Sequence, residues 1–425
     1  MHHGTLCARL SLLGRGRTKL AQIEVKSREE GARASVLDIG RGLAIVGVLY
    51  GHALAPWFMG AGEHFSGGAF LQWKFGASFM MVFFFFLSGL GWRQEKSLPS
   101  TLRQSLVLIA IAWLASAAFD AFRLSLSLTG VTAALGIPPL DLVAFLRDLA
   151  RMAVYGDAYA LSALWFLAAL AVVRLIAAAA FRFGGLAVAG TAALLLALTL
   201  QATEHGWRNY YQVSLLGMAF LAFVAGHVAR GAVAELERNR HAAFGLFVVA
   251  GAVVFSTFGL NQGCRWDATA NCGQDWLNGG FGVSMVIGQF GNLPLFFITA
   301  AAGVGFALAS SILLARAGGA AARKLGKWGA NSLNLLVVNA VFLHTAVPLI
   351  AYFLVPHIAA DNLLFFMALF VATMAVNLYA AHALARPLRL LARAANGFVG
   401  LALDHGAAAA EAIVAWRRPR VSQNA

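Results

Sequence analysis

Mostly apolar runs of roughly 18 residues or more recur along nearly the whole chain, and no other feature limits the fold so strongly. A chain of 425 residues that is 60% hydrophobic and 12% charged, with mean hydropathy +0.74, carries about half the charge of an ordinary soluble domain. The pattern predicts an all-α fold, a polytopic membrane bundle of about ten transmembrane helices. The spans are read at 39–60, 70–92, 103–124, 160–181, 184–201, 212–230, 242–262, 280–314, 331–355 and 363–385. The eighth is long for one crossing and holds Gly291, Asn292 and Pro294, so a tilt, a kink or a re-entrant piece is expected there. The organisation that follows is a flexible basic segment over 1–35, a transmembrane domain over 36–393 and a cytoplasmic tail over 394–425.

The net charge of +14 raises nucleic acid as a partner, but the location of the charge argues against it. Lys and Arg sit in short segments between spans, as the positive-inside rule requires of cytoplasmic loops. With the amino terminus inside, 26 of the 32 fall on the cytoplasmic side, Arg174 counted among them, and 6, including Lys74, fall outside. Both termini are therefore expected in the cytoplasm, in a multi-pass protein of a bacterial inner or plasma membrane. Cys264 and Cys272 share an outward loop in which an oxidising compartment lets them pair, while Cys7 is alone on the reducing side. Residues 1–35 lack the apolar core of a cleavable signal peptide. The stretch DLVAFLRDLARMAVYG (141–156) has amphipathic spacing and is expected to lie along the outer interface. The tail, with WRRPR near its end, is expected on anionic lipid. No internal repeat is apparent.

One stretch breaks the apolar rule. In LDIGRGLAIVGVLYGH (37–52), Asp38 suits a helix N-cap and lies three residues before Arg41, within pairing reach. Arg41 and His52 are eleven residues apart, which puts them on one helix face about 16 Å apart along the axis. The arginine then stands at the cytoplasmic mouth and the histidine near mid-membrane, where an ionisable group is costly and is read by default as functional. The plainer reading is a neutral imidazole hydrogen-bonded to a neighbouring helix.

This stretch resembles the first-span signature of the acyltransferase-3 family of integral membrane O-acyltransferases, with its LDxxRG entry and Arg-x10-His spacing. FFFFLSGLGWR (83–93), ALWFL (163–167) and LGKWGANSLNLLVVN (325–339) are similar to the family's FFxxSG, WFL and LGxxSL segments, in family order. The resemblance implies transfer of an acyl group, usually acetyl from cytoplasmic acetyl-CoA, to a sugar or glycan hydroxyl on the far side of the membrane. The implied partners are acyl-CoA, a glycan or lipid-linked sugar, membrane lipids and polysaccharide synthesis machinery, with no nucleic acid.

Under that resemblance, Arg41, paired with Asp38 and helped by Arg93, Lys96, Arg103 or Lys327, holds the CoA phosphates by charge-assisted bonds. Ser88 and Gly89 leave room for the pantetheine arm, or serve close helix packing. His52 acts as general base or carries the acyl group itself. Asn339, where many family members have histidine, is placed to donate to a thioester carbonyl. His344 does not share its face. Trp165 reads either as a site residue or as an interfacial anchor. Glu204, His205, Trp266, Asp267, Asp275 and Trp276 are candidate sugar contacts on the outer side. No metal-ligand spacing, P-loop or hydrolase elbow appears, so no metal is expected. The rival reading is a secondary transporter or flippase for a glycan or small solute, but such proteins favour buried acids. Asp120 is the one carboxylate expected within a span.

Overall fold

The first helix, α1 (Val36–Leu54), is the hub of the molecule. Its start is capped by Ser35, whose hydroxyl accepts from the Asp38 amide at 3.1 Å and donates to the Asp38 carboxylate at 2.8 Å. The cap is thus Ser35 and not Asp38, which stands one turn in and accepts the proton of the capping hydroxyl. The computed structural model describes residues 35–57, 66–93, 97–134, 139–156, 159–205, 207, 210–261, 283, 285, 288, 290–353 and 363–417. The segment 1–34, Lys96, the Cys264–Cys272 pair, and Trp266, Asp267, Asp275 and Trp276 lie outside the described residues.

All regular structure among the described residues is helical. After α1 come α2 (Gly67–Ala77), α3 (Met80–Leu90), α4 (Leu98–Leu128) and the amphipathic α5 (Leu142–Tyr155). Next are α6 (Trp165–Ala180), α7 (Gly185–Glu204), α8 (Val213–Val228), the short α9 (Arg230–Arg238) and α10 (Arg240–Thr257). The chain closes with α11 (Leu293–Ala317), α12 (Gly319–Ala330), α13 (Ser332–Phe353), α14 (Leu363–Ala383) and α15 (Ala385–Arg417). By length and composition, eight of the described segments are long and apolar enough to cross a membrane, or up to ten if each of two bent pairs is one span. The protein is a polytopic helical bundle.

Four expected spans differ in detail. The second is interrupted at Ser78–Phe79, between α2 and α3. The Ser78 hydroxyl donates back to the Lys74 carbonyl at 2.7 Å, and Phe79 packs where a Cβ on Gly303 of α11 would come within 2.2 Å of its ring. The eighth does not carry Asn292 and Pro294 as a kink; they start it. Asn292 Oδ1 accepts from the Leu295 amide at 3.0 Å, and proline in the first turn lacks an N–H that would be orphaned there anyway. The ninth is preceded by α12, bent 76° from α13, and the tenth is followed by α15, bent 62° from α14. Helix α15 runs without a break through residue 393 and buries Ala395 and Val399, packing against α4.

Two glycine pairs set the tightest contacts. A Cβ on Gly42 of α1 would lie 2.2 Å from the Leu325 carbonyl oxygen, and one on Gly329 of α12 1.7 Å from that of Asp38. The second pair joins α3 to α8: a Cβ on Gly89 would lie 1.8 Å from the Phe223 oxygen, and one on Gly226 1.9 Å from that of Phe86. Small residues permit such backbone approach, which is how apolar helices gain packing energy without a hydrophobic driving force. At the end of α3, Arg230 donates to the carbonyl of Leu90 at 3.0 Å, satisfying a helix terminus that would otherwise be orphaned.

Candidate functional site

Docking α12 on α1 closes the floor of a cavity of about 280 Å³. Arg41 of α1, Ser88 of α3, Arg174 of α6 and Gly329 of α12 line it. Arg41 meets Asp38 at 3.4 Å, one helical turn away. Arg174, one of the charges expected on the cytoplasmic side, stands inside α6, facing this cavity, and its buried Nε has no hydrogen-bond partner. Two arginines line this cavity, and among the described lining residues there is no carboxylate. Such a pocket favours an anion, because Arg41 has one carboxylate partner, Asp38, and buried Arg174 leaves its Nε unanswered. Ser88 faces the cavity with its hydroxyl bonded to the Phe84 carbonyl at 2.8 Å, whereas Gly89 is spent on contact with α8. Arg93 and Arg103 are exposed and line neither this cavity nor the next.

A second cavity, of about 470 Å³, lies further along α1. His52, Tyr50, Gln72, Trp73 and Trp165 bring its polar and aromatic groups, and Val48, Met81 and Leu336 belong to the walls of both cavities. Helix α6 serves both as well, giving Trp165 to this chamber and Arg174 to the other. Trp165 is 7% exposed, so it is an interior wall. The Tyr50 hydroxyl donates to Gln72 Oε1, and its ring packs edge-on against Phe370 at 5.0 Å. Beyond the chamber, Leu54, Ala55, Trp57, Ala69 and Phe70 form a separate small core over its far end.

His52 is held from behind. Its Nδ1 hydrogen-bonds Asn339 Oδ1 of α13. Asn339 Nδ2 donates to Asn377 Oδ1 of α14 at 3.4 Å, and Asn377 Nδ2 donates to the Thr373 carbonyl at 2.9 Å. Asn339 is fully buried, does not line the chamber, and turns its amide nitrogen to Asn377, so the arrangement is not that of an oxyanion donor. His344 lines neither cavity and lies 6.4 Å from the Phe119 ring. Asp120 is buried and pairs with Arg123 at 3.3 Å. Of the candidate sugar contacts, His205 bonds its own helix at Gln201, 2.9 Å away, and stands apart from the chamber.

The sequence reading passed over Arg174, Asn377, Tyr50, Gln72 and Trp73. Arg174 and Asn377 each left a signal, a polar residue well inside an expected span, which is the same signal that singled out His52. Gln72 and Trp73 left none, since aromatic and amide groups at span ends are ordinary membrane anchors, and Tyr50, mid-span, carries no charge to set it apart.

A family model described as an acyltransferase domain matches residues 35–382. No curated relative and no solved structure matches the chain. The matched range holds α1 through nearly all of α14, and so every residue of both cavities.

Proposed function

The chain belongs to the acyltransferase-3 family and is a multi-pass membrane acyltransferase, and from that premise we propose that it moves an acyl group from acyl-CoA, acetyl-CoA in the simplest case, to a sugar hydroxyl. The observation that supports this reading is the pair of adjoining cavities along one helix. One is cationic and holds Arg41 and Arg174; the other holds His52 and aromatic walls; Val48, Met81 and Leu336 stand between them. A CoA molecule has the matching form, phosphates at one end and a thioester at the end of a thin arm. The charge distribution of the loops assigns the arginine end to the cytoplasm, where acyl-CoA is made. The acceptor enters the chamber, where Trp73 and Trp165 offer the flat apolar faces that suit a sugar ring and Gln72 and Tyr50 offer polar groups.

The chemistry follows from His52. Its free nitrogen takes the proton of the acceptor hydroxyl as the oxygen attacks the thioester carbonyl. The C–S bond breaks, an ester forms, and the imidazolium returns the proton to the leaving thiolate. If the imidazole instead attacks first, an acyl-imidazole forms, and the acceptor displaces it in a second step. Both routes end in ester and free CoA thiol. Ping-pong kinetics mark the second.

The test is acyl transfer from labelled acetyl-CoA by membranes carrying the His52→Ala variant, with mass spectrometry of surface glycans from a deletion strain complemented by each form. The wild-type protein restores a glycan mass increment and His52→Ala does not, while both insert and express equally. Normal transfer by the variant overturns the proposal.

A further inference from the structure

The polar string behind His52 has a direction, and that direction selects a tautomer. It begins at the backbone carbonyl of Thr373, which can only accept. The group bonded to it at 2.9 Å must therefore be the NH2 of Asn377, because the reverse amide orientation sets two acceptors against each other. Asn377 then presents its oxygen to Asn339, at 3.4 Å. The same argument repeats: only the NH2 of Asn339 answers that oxygen, so Asn339 presents its own oxygen to His52 Nδ1. Two amide orientations that are ordinarily assigned by inspection of the network are here tied to a main-chain atom. Asn339 and Asn377 are both 0% exposed, so no water competes for these bonds, and an inverted member would leave a buried acceptor unmatched.

We infer that Asn377, held by the Thr373 carbonyl and acting through Asn339, is a positioning residue that keeps the proton of His52 on Nδ1 and leaves the Nε2 lone pair to the chamber. This rests on the reading of His52 as the reacting group, and it deepens it. General base and acyl carrier both require an unprotonated nitrogen facing the substrates, so the relay serves either route. It also provides a fixed acceptor for the Nδ1 proton when the ring becomes positively charged, with no rearrangement at that moment. The logic is that of a histidine oriented by a third group, with two neutral amides and a peptide carbonyl in place of a carboxylate. In a bilayer that substitution has a reason: a buried carboxylate carries a larger desolvation cost than an amide.

The tautomer can be read without any activity. Imidazole nitrogen-15 spectra of the full-length protein in detergent micelles distinguish Nδ1–H from Nε2–H, and the His52 signals are identified by their loss in His52→Gln. The expected result is Nδ1–H for His52 in the wild-type protein. In Asn377→Leu, which removes the anchor, Asn339 is free to turn and Nε2–H appears; kcat falls about 10- to 100-fold, the usual cost of losing an outer orienting partner, with the KM for acetyl-CoA unchanged. Asn377→Asp, kept neutral by burial, donates from its carboxyl O–H to the Thr373 carbonyl and accepts from Asn339 with the other oxygen, so it retains Nδ1–H and most of kcat. Nε2–H in the wild-type protein, or Nδ1–H undiminished in Asn377→Leu, overturns the inference. Should Asn377→Leu fail to fold, the wild-type tautomer and the Asn377→Asp variant still decide it. Acyl transfer by His52→Gln at the wild-type rate would instead remove the functional reading while leaving the measured tautomer standing, so the two failures are separate.

Discussion

The two cavities share α1, α6 and three wall residues, yet they are built on opposite principles. The cavity of Arg41 and Arg174 holds two cations with one nearby carboxylate, Asp38, already in contact with Arg41, and so is charged but undercompensated. The chamber of His52 is mostly apolar and aromatic, and the imidazole is bonded on its Nδ1 side to a string of neutral amides. On the proposed reading, the first binds the donor and the second holds the reacting groups. An acyltransferase of the proposed kind needs this division, since anion affinity calls for unpaired positive charge while proton transfer calls for a neutral ring with a defined lone pair.

The largest effect expected from breaking this division is on chemistry alone. His52→Ala should lower kcat by about a thousandfold, within the usual range for loss of an acid–base group, while acetyl-CoA still protects the arginine cavity from modification by an arginine-selective reagent. Loss of that protection would mean the two cavities are not separable. Next comes binding alone: Arg174→Met keeps the length of the side chain and removes the charge. One charge-assisted hydrogen bond amounts to about 1.5–3 kcal/mol, so the KM for acetyl-CoA should rise roughly 10- to 100-fold with kcat little changed. An unchanged KM would take Arg174 out of the donor site and leave Arg41 alone in that role.

Gly329→Ala sharpens the comparison from the side of the fold. Its methyl group would fall 1.7 Å from the Asp38 oxygen, so α12 must move off α1 and the floor of the arginine cavity moves with it. A loss of about 1–3 kcal/mol is usual for such overpacking, and it should appear as a lowered unfolding temperature together with weaker donor binding. The smallest change is expected from Trp73→Leu, which removes one aromatic face of the chamber. A rise of a few-fold in the KM for the acceptor, with donor KM and stability held, is the outcome that keeps Trp73 a sugar platform; equal changes in both KM values would make it a packing residue.

How much of this was legible beforehand varies by residue for physical reasons. The apolar runs marked the bundle because a membrane span needs a minimum length whatever its neighbours do. Asp38, Arg41 and His52 were legible for a similar reason: helix periodicity alone fixes their common face and their spacing. Asn339 is legible as a polar residue inside a span, but its bonding is not, since an amide's partners depend on which helices lie opposite, and here those are α1 and α14. Gly89 and Ser88 are neighbours in one motif, yet one meets α8 and the other a cavity. No local pattern assigns those two directions.

The sequence by itself determined the solvent of this protein, its helical class and the one helix that carries a cation and an imidazole in line, because each follows from interactions within a single segment. Only the tertiary structure decided which side chains meet. The packing of α12 through Gly329 formed a floor for the arginine cavity, α6 brought Arg174 into it, and α13 and α14 set two amides behind His52. Those pairings join residues tens to hundreds of positions apart, and they depend on how whole helices dock, which no spacing along the chain encodes.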